Sequence, residues 1–405
     1  MTGGRRRLRA LLAGLLGIVI LGAVVYLRDQ RTVRVGILHS TQGSLAASEG
    51  PVLQATRFGV EEVGRVLGHR VEVLAPPVDA DDPASFARAA ESLIEQDVAA
   101  IFGCWTSASR RAVIDVLKDR ALLYYPVFYE GLETSEDVIH LGATANQRIL
   151  PATRWARIRF GPKFFLIGSD YVFPRAAHQL IEDDLADYRG AVVGSEFIPL
   201  QRDPEAPEAF DRSLAAAVQA LMTSGAVVVV NTVNGDTNTQ LLAALERAGS
   251  THPVLSFAIS EVEAEALPPS DREHYVAWSY LDSLPVPENQ EFLGRWRHRH
   301  PGAPVSEPIV SGYVAVQLWA AAAEEAGTFD REAVREATRG LAISAPWGAE
   351  YIDPETLHAW RSLHIARIDD EGEFDVVWSE PAPVPADPWP GDRSPEEWKK
   401  LIPGL

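Results

Sequence analysis

The residues best suited to hold a small molecule stand at the ends of short apolar runs. Val98–Phe102 is followed by Gly103-Cys104-Trp105-Thr106-Ser107-Ala108-Ser109, which leads into a helical pattern over Ser107–Lys118. A helix start presents unpaired backbone N–H groups and a positive dipole end, which suit a carbonyl oxygen as well as an anion. Thr106 or Ser107 would equally serve as a plain helix cap. A second run, Leu122–Val127, carries Tyr124-Tyr125-Pro126-Val127-Phe128-Tyr129-Glu130-Gly131. Those aromatics beside one carboxylate either wall a small pocket or pack in a core, with Glu130 at the surface. Gly168-Ser169-Asp170-Tyr171-Val172-Phe173-Pro174-Arg175 opens another helix, where Asp170 could simply cap it. Asn231-Thr232-Val233-Asn234-Gly235-Asp236-Thr237-Asn238 and Ile259-Ser260-Glu261 close two further runs, and Ser260 again doubles as a cap.

Catalytic patterns are missing. There is no phosphate-binding glycine loop, no G-x-S-x-G and no H-E-x-x-H. His298 and His300 fall in the basic stretch Arg295–His300 and read as a solvated helix end. The one cysteine, Cys104, follows an apolar strand and reads as a buried, inert thiol, with no partner base in sight. It also leaves no disulfide framework and no cysteine metal cluster. No cofactor is implied, and an enzyme such as an amidohydrolase finds no support.

The elements that must position these clusters alternate. Strand patterns at Val33–Leu38, Val71–Leu74, Val98–Phe102 and Leu122–Val127 are separated by helical patterns at Leu53–Leu67, from Asp82-Pro83 onward, and at Ser107–Lys118. Such a βαβα rhythm predicts a parallel sheet covered by helices. It restarts after a break near Asn146–Pro151, with strands at Phe164–Ile167, Ala191–Phe197, Val227–Asn231 and Val254–Phe257. Helices are predicted near Arg175–Asp187, Glu208–Thr223 and Thr239–Ala248, then at Pro308–Ala326 and Arg331–Leu341. The chain is therefore read as α/β in two successive units. In open α/β sheets ligands bind outside the carboxyl ends of the strands, where the five polar clusters stand.

Charge narrows the partners. The 405 residues carry a net charge of −19, unevenly spread. Residues 1–31 hold six arginines against Asp29, and the rest of the chain is strongly acidic, so nucleic-acid binding is not expected. Ala10–Leu27 is an uncharged, mostly aliphatic run behind Arg5-Arg6-Arg7-Leu8-Arg9. Its length reaches the lower end of a membrane-spanning helix, and the basic flank keeps the N-terminus inside. The expectation is a retained N-terminal transmembrane anchor with the body outside the cell membrane, a cleaved signal being the alternative.

Several of these segments resemble the urea-type substrate-binding proteins of ABC transporters, a family that also includes receptors for short-chain amides. The likeness is carried by Val35-Gly36-Ile37-Leu38-His39-Ser40, Gly103–Arg110, Tyr129-Glu130-Gly131-Leu132-Glu133, Gly168–Arg175, Asn234-Gly235-Asp236, Ala345-Pro346-Trp347-Gly348 and Phe374–Ser379. It covers about residues 33–390. The resemblance implies a type I periplasmic binding protein fold, two doubly wound lobes with a ligand cleft between them. One lobe would comprise 33–150 and 282–345, the other 151–281 and 346–380. Residues 1–31 would form the basic anchor and 381–405 a Pro-rich tail. Carried over position by position, the ligand-binding set is Trp105, Thr106, Ser107, Tyr125, Val127, Tyr129, Glu130, Tyr171, Asp236 and Glu261. Amide receptors tend to have a hydroxyl residue where Val127 stands, and urea receptors look like this chain there.

Urea is flat and neutral, with one acceptor oxygen and four N–H donors. It would be sandwiched by Trp105, Tyr125 and Tyr171. Donors at Thr106 and Ser107 would face its oxygen, and acceptors such as Glu130 or Asp236 its nitrogens. The implied function is capture of urea or a short-chain amide for ABC permease subunits. The alternative is an amide-sensing receptor that feeds no permease.

Overall fold

The computed structural model describes residues 31–405 apart from Ser44, Pro204, Asp236, Glu265, Ala266, Pro268, Pro269, Asp271 and Asp370. The expected anchor Ala10–Leu27 lies outside the described residues. Among the described residues, no helix is long and apolar enough to cross a membrane.

Two sheets organise the chain. The first contains β1 (Thr32–Leu38), β2 (Arg65–Val66), β3 (His69–Leu74), β4 (Ile101–Gly103), β5 (Leu123–Tyr125) and β6 (Val138–His140), in the order β2-β3-β1-β4-β5-β6. All neighbours are parallel except the β2–β3 hairpin. The crossovers are helices α1 (Ala46–Val63), α2 (Pro83–Glu95) and α3 (Ser107–Leu117). Asp82 caps α2 through the Ala84 N–H, with Pro83 at the first helical position, where its missing N–H costs nothing. After α4 (Ile149–Phe160) the second sheet begins. Its strands are β7 (Lys163–Ser169), β8 (Ala191–Ile198), β9 (Val228–Thr232), β10 (Val254–Ser256) and β11 (His274–Trp278). Between them run α5 (Val172–Asp187), α6 (Pro207–Ser224), α7 (Thr237–Arg247) and the short α8 (Glu261–Ala264). Every residue of β9 is buried, as in a strand covered on both faces.

The chain then returns to the first sheet. Helices α9 (Pro287–Arg299), α10 (Glu307–Ala326) and α11 (Arg331–Thr338) follow, and α10 packs against α1, β4 and β5. Helix α10 is buried on nearly all sides, which its alanine- and valine-rich sequence permits. A hairpin of β12 (Ala342–Ala345) and β13 (Gly348–Tyr351) leads to β14 (His364–Ile368) and β15 (Phe374–Ser379). These two add antiparallel to β11, giving the order β15-β14-β11-β10-β9-β7-β8.

Several boundaries differ from the sequence reading. Helix α1 opens at Ala46 rather than Leu53, with Pro51 inside it, and ends at Val63 rather than Leu67, where Gly64 closes the helix and Arg65–Val66 turns into β2. The break anticipated near Asn146–Pro151 is instead the start of α4, because a proline in the first helical turn removes no hydrogen bond. The segment 381–405 does run over the surface, and it ends in a further helix, α12 (Pro395–Leu401). A capping box of Ser394 and Glu397 starts α12, and Trp398 buries its indole.

Candidate functional site

In each sheet the strand order reverses at one place. The chain moves from β1 to β3 on one side and then to β4 on the other. In the second sheet it moves from β7 to β8 and then across to β9. A crevice opens at the carboxyl ends of strands at such a point. The residues just beyond β4, β7 and β9 are the polar clusters singled out above. Gly103, the last residue of β4, has φ +146°, and a Cβ there would meet the Leu38 carbonyl oxygen at 2.3 Å. Only glycine lets β4 close against β1, and that closure turns the chain so that Trp105 faces the second lobe.

A small cavity lies between the lobes. It is lined by Leu45, Ser48, Trp105 and Phe128, by Asn234, Gly235, Ala258, Ser260, Glu263 and Trp278, and by Pro308. Its volume is about 10 Å³, at the lower limit for one ordered water. The lobes are closed on each other here. Ser48 Oγ, from the first turn of α1, donates to Glu263 Oε1 on α8 at 3.1 Å. Phe128, after β5, meets Phe173 of α5 edge-on, with ring centroids 5.3 Å apart. Glu263 also accepts from the Ser260 N–H and hydroxyl at 2.9 and 2.5 Å. Burial pushes its pKa up, and those hydrogen bonds only partly offset this. Arg148 stands behind the cavity. Its guanidinium sits 3.9 Å from the ring centroids of both Phe128 and Trp278 and donates to the Ala277 and Phe257 carbonyls.

Of the ten residues assigned from sequence, Trp105 lines this cavity. Thr106 caps α3 through the Ser109 N–H. Ser107 Oγ donates to Glu130 Oε2 at 2.7 Å. Glu130 is fully buried and also accepts from Arg111 at 3.1 Å, with Arg110 at 3.7 Å. Both groups that were to face a ligand are thus engaged with each other. Tyr125 is buried, and its hydroxyl donates to the Trp105 carbonyl at 2.7 Å, bracing the β4–α3 loop from below. Val127 is buried, with its backbone so close to Gly142 that a Cβ there would meet the Val127 oxygen at 2.0 Å. Tyr129 lies in a stack with His140 and His358, its hydroxyl 2.5 Å from His358 Nε2. Burial pushes the Tyr171 phenol well above its ordinary range, and the charge of Glu130 adds to the shift.

Glu261 faces elsewhere. Its Oε1 accepts from the Asp282 N–H, and it borders a separate hollow with Asp282, Arg297 and Phe374. Asp236 lies outside the described residues.

Ser48, Phe128, Asn234, Ser260, Glu263, Trp278 and Pro308 also line the cavity, with Leu45, Gly235 and Ala258. Phe128, Asn234 and Ser260 sit inside strand-end segments already singled out. Trp278 closes β11, a strand whose residues carried no separate signal. Among the described residues, no group of three or more His, Cys, Asp or Glu is placed to hold a metal ion.

Two α/β lobes meeting at their switch points, with a closed crevice between, define a bilobal ligand-binding protein. The model of the periplasmic binding protein domain matches residues 33–395, and the chain belongs to that family, in its type I, leucine-binding-like form. A solved solute binding protein of an ABC transporter from R. palustris, in complex with 4-hydroxybenzoate, shares the fold with a TM-score of 0.77 and 21% identity, over 86% of this chain and 97% of that one. A second from R. palustris, in complex with benzoate, gives 0.75 and 17%, over 88% and 98%. A leucine binding protein from Thermotoga maritima gives 0.74 and 18%, over 86% and 98%. At these identities the likeness is one of fold. A curated limonene hydroxylase from Geobacillus stearothermophilus is 28% identical over 116 residues, which is 28% of this chain and only 21% of that protein.

Proposed function

We propose that this chain is an extracytoplasmic receptor that captures urea or a short-chain amide and delivers it to an ABC importer. The observation that carries the reading is the make-up of the crevice. Three aromatic rings, Trp105, Phe128 and Trp278, surround one carboxylate, Glu263, and the polar side chains of Ser48, Ser260 and Asn234. Among the described residues lining it, none is basic. The benzoates named with two of the structural neighbours are anions, and a carboxylate ligand beside Glu263 would add a second buried negative charge. A flat molecule with N–H donors meets the opposite situation. Its faces fit between rings, and its donors find the Glu263 oxygens. Because the closed crevice holds about 10 Å³, entry requires the lobes to part about the connections near Arg148 and Ser279, as in hinge closure around ligands.

Isothermal titration of the full chain with urea, acetamide, leucine and benzoate tests the proposal. Saturable heat with urea or acetamide is expected, and none with benzoate. Binding of benzoate or leucine alone would replace this reading with an acid or amino-acid receptor.

A further inference from the structure

We propose that the crevice prefers a planar cation of the guanidinium or amidinium class to neutral urea, and that Glu263 is the residue that reads the charge. The inference rests on the crevice being the ligand site.

Glu263 is a half-buried carboxylate whose hydrogen-bond partners are all neutral. Oε2 takes the Ser260 N–H and hydroxyl, and Oε1 takes the Ser48 hydroxyl from the opposite lobe. Among the described residues it makes no ion pair; nor does the buried Glu307, which takes the Ser279 N–H, whereas three other acids near the lobe contacts do. Glu130 and Glu133 are matched by Arg110 and Arg111, and Glu350 by Arg361. The nearby cation, Arg148, gives two of its donors to the Ala277 and Phe257 carbonyls, lies on the Phe128 and Trp278 rings and keeps Nη1 without a hydrogen-bond partner. A carboxylate partly withdrawn from water without a counter-charge is destabilised, and a cationic ligand that closes the crevice over it would relieve that cost where a neutral one would not.

The walls favour the same ligand. Aromatic faces carry negative potential and attract a cation more strongly than a neutral molecule. Guanidinium presents two parallel N–H groups to one carboxylate as urea can, but its donors are charged, which makes the pair of bonds stronger. Neither cavity-lining serine can do that. In the closed form the Ser48 hydroxyl occupies the donor position on Oε1, and a charge-assisted N–H would take its place.

The test is titration of the full chain with guanidinium chloride, acetamidinium chloride, urea and acetamide at millimolar concentrations, with sodium chloride as the ionic control. It is run on the wild type and on Glu263→Gln. Guanidinium is expected to bind at least tenfold more tightly than urea, and the ratio of the two affinities should fall at least tenfold in Glu263→Gln. A purely structural role would weaken both ligands together and leave the ratio unchanged, which would overturn the proposal. So would a wild type that binds urea as tightly as guanidinium. If Glu263→Gln does not fold, the wild type alone decides. Acidification that protonates Glu263 must then erode the guanidinium preference, and a preference constant with pH refutes the proposal. Urea or acetamide binding without that preference removes this inference and leaves the receptor reading standing. No binding by any of the four removes both.

Discussion

His178 gives a stability prediction that can be worked from its surroundings. It lies on α5, buried, with Nδ1 2.9 Å from Ser195 Oγ and Nε2 3.0 Å from Thr232 Oγ1. Burial, with Arg175 adding to it, pushes its pKa down to about 3. An unfolded histidine titrates near 6.5. Above that pH both states are neutral and the site carries no pH dependence. Between 6.5 and 3 the unfolded chain takes up a proton that the folded chain refuses, so stability falls as pH falls. At pH 5 the loss is about 2 kcal/mol from this one ring.

In His178→Gln, the amide keeps a donor and an acceptor for the two hydroxyls but has no proton to gain. Calorimetric melts at pH 7.5 and pH 5 are the assay, because urea and guanidinium denaturants resemble the proposed ligands. The wild type should lose about 2 kcal/mol more than the variant over that interval, a difference of a few degrees in Tm. His274, whose pKa is also pushed down to about 3, is common to both proteins and cancels. Equal losses in the two proteins would show that His178 takes up a proton in the folded state as readily as in the unfolded one, and would refute the burial argument.

Two further predictions concern the crevice and what straps it. Trp105→Ala and Tyr171→Ala should each weaken ligand binding at least tenfold while leaving the far-ultraviolet circular dichroism unchanged, and unchanged affinity in both would remove them from the site. The segment after β15 bonds to both lobes. Leu132 donates to the Pro388 carbonyl, Arg393 pairs with Asp183 on α5, and Arg111 on α3 donates to the Gly404 carbonyl. Opening must stretch these contacts, so Arg393→Ala should speed ligand release several-fold in stopped-flow experiments. An unchanged release rate would mean that the segment simply follows one lobe.

The architecture was largely legible because its signals are local. Asp82-Pro83 caps α2, the unbroken apolar run of β9 marks a strand covered on both faces, and the alternation of short strands with amphipathic helices leads to parallel sheets. The switch points were legible too, since polar segments such as Cys104–Ser107 and Val233–Gly235 follow strands directly. The positions whose side chains are engaged within the protein depend on partners far away in sequence. Nothing in Ser107 or Glu130 says that each will satisfy the other, or that Arg111 will reach the same carboxylate. Tyr125 and Tyr129 read equally as cleft walls or core. A carbonyl one loop away and a pair of histidines from β6 and from residue 358 decide in favour of burial.

The choice between Glu261 and Glu263 turns on two residues in a single helical turn. Side chains two apart on a helix point about 200° from each other, so only one of them can look into the crevice. Helix α8 is four residues long, too short for periodicity to fix its phase. The phase is set from outside. Ser260 takes the Glu263 carboxylate back onto the start of the helix, in the geometry of a capping box, and the Asp282 N–H holds Glu261 on the far side. Removing the acid at 263 therefore cannot be neutral. With Gln at 263 and Glu retained at 261, the carboxylate left on α8 would still face Asp282 rather than Ser48, and the crevice would lose its charge even though an acid remained two residues away in sequence.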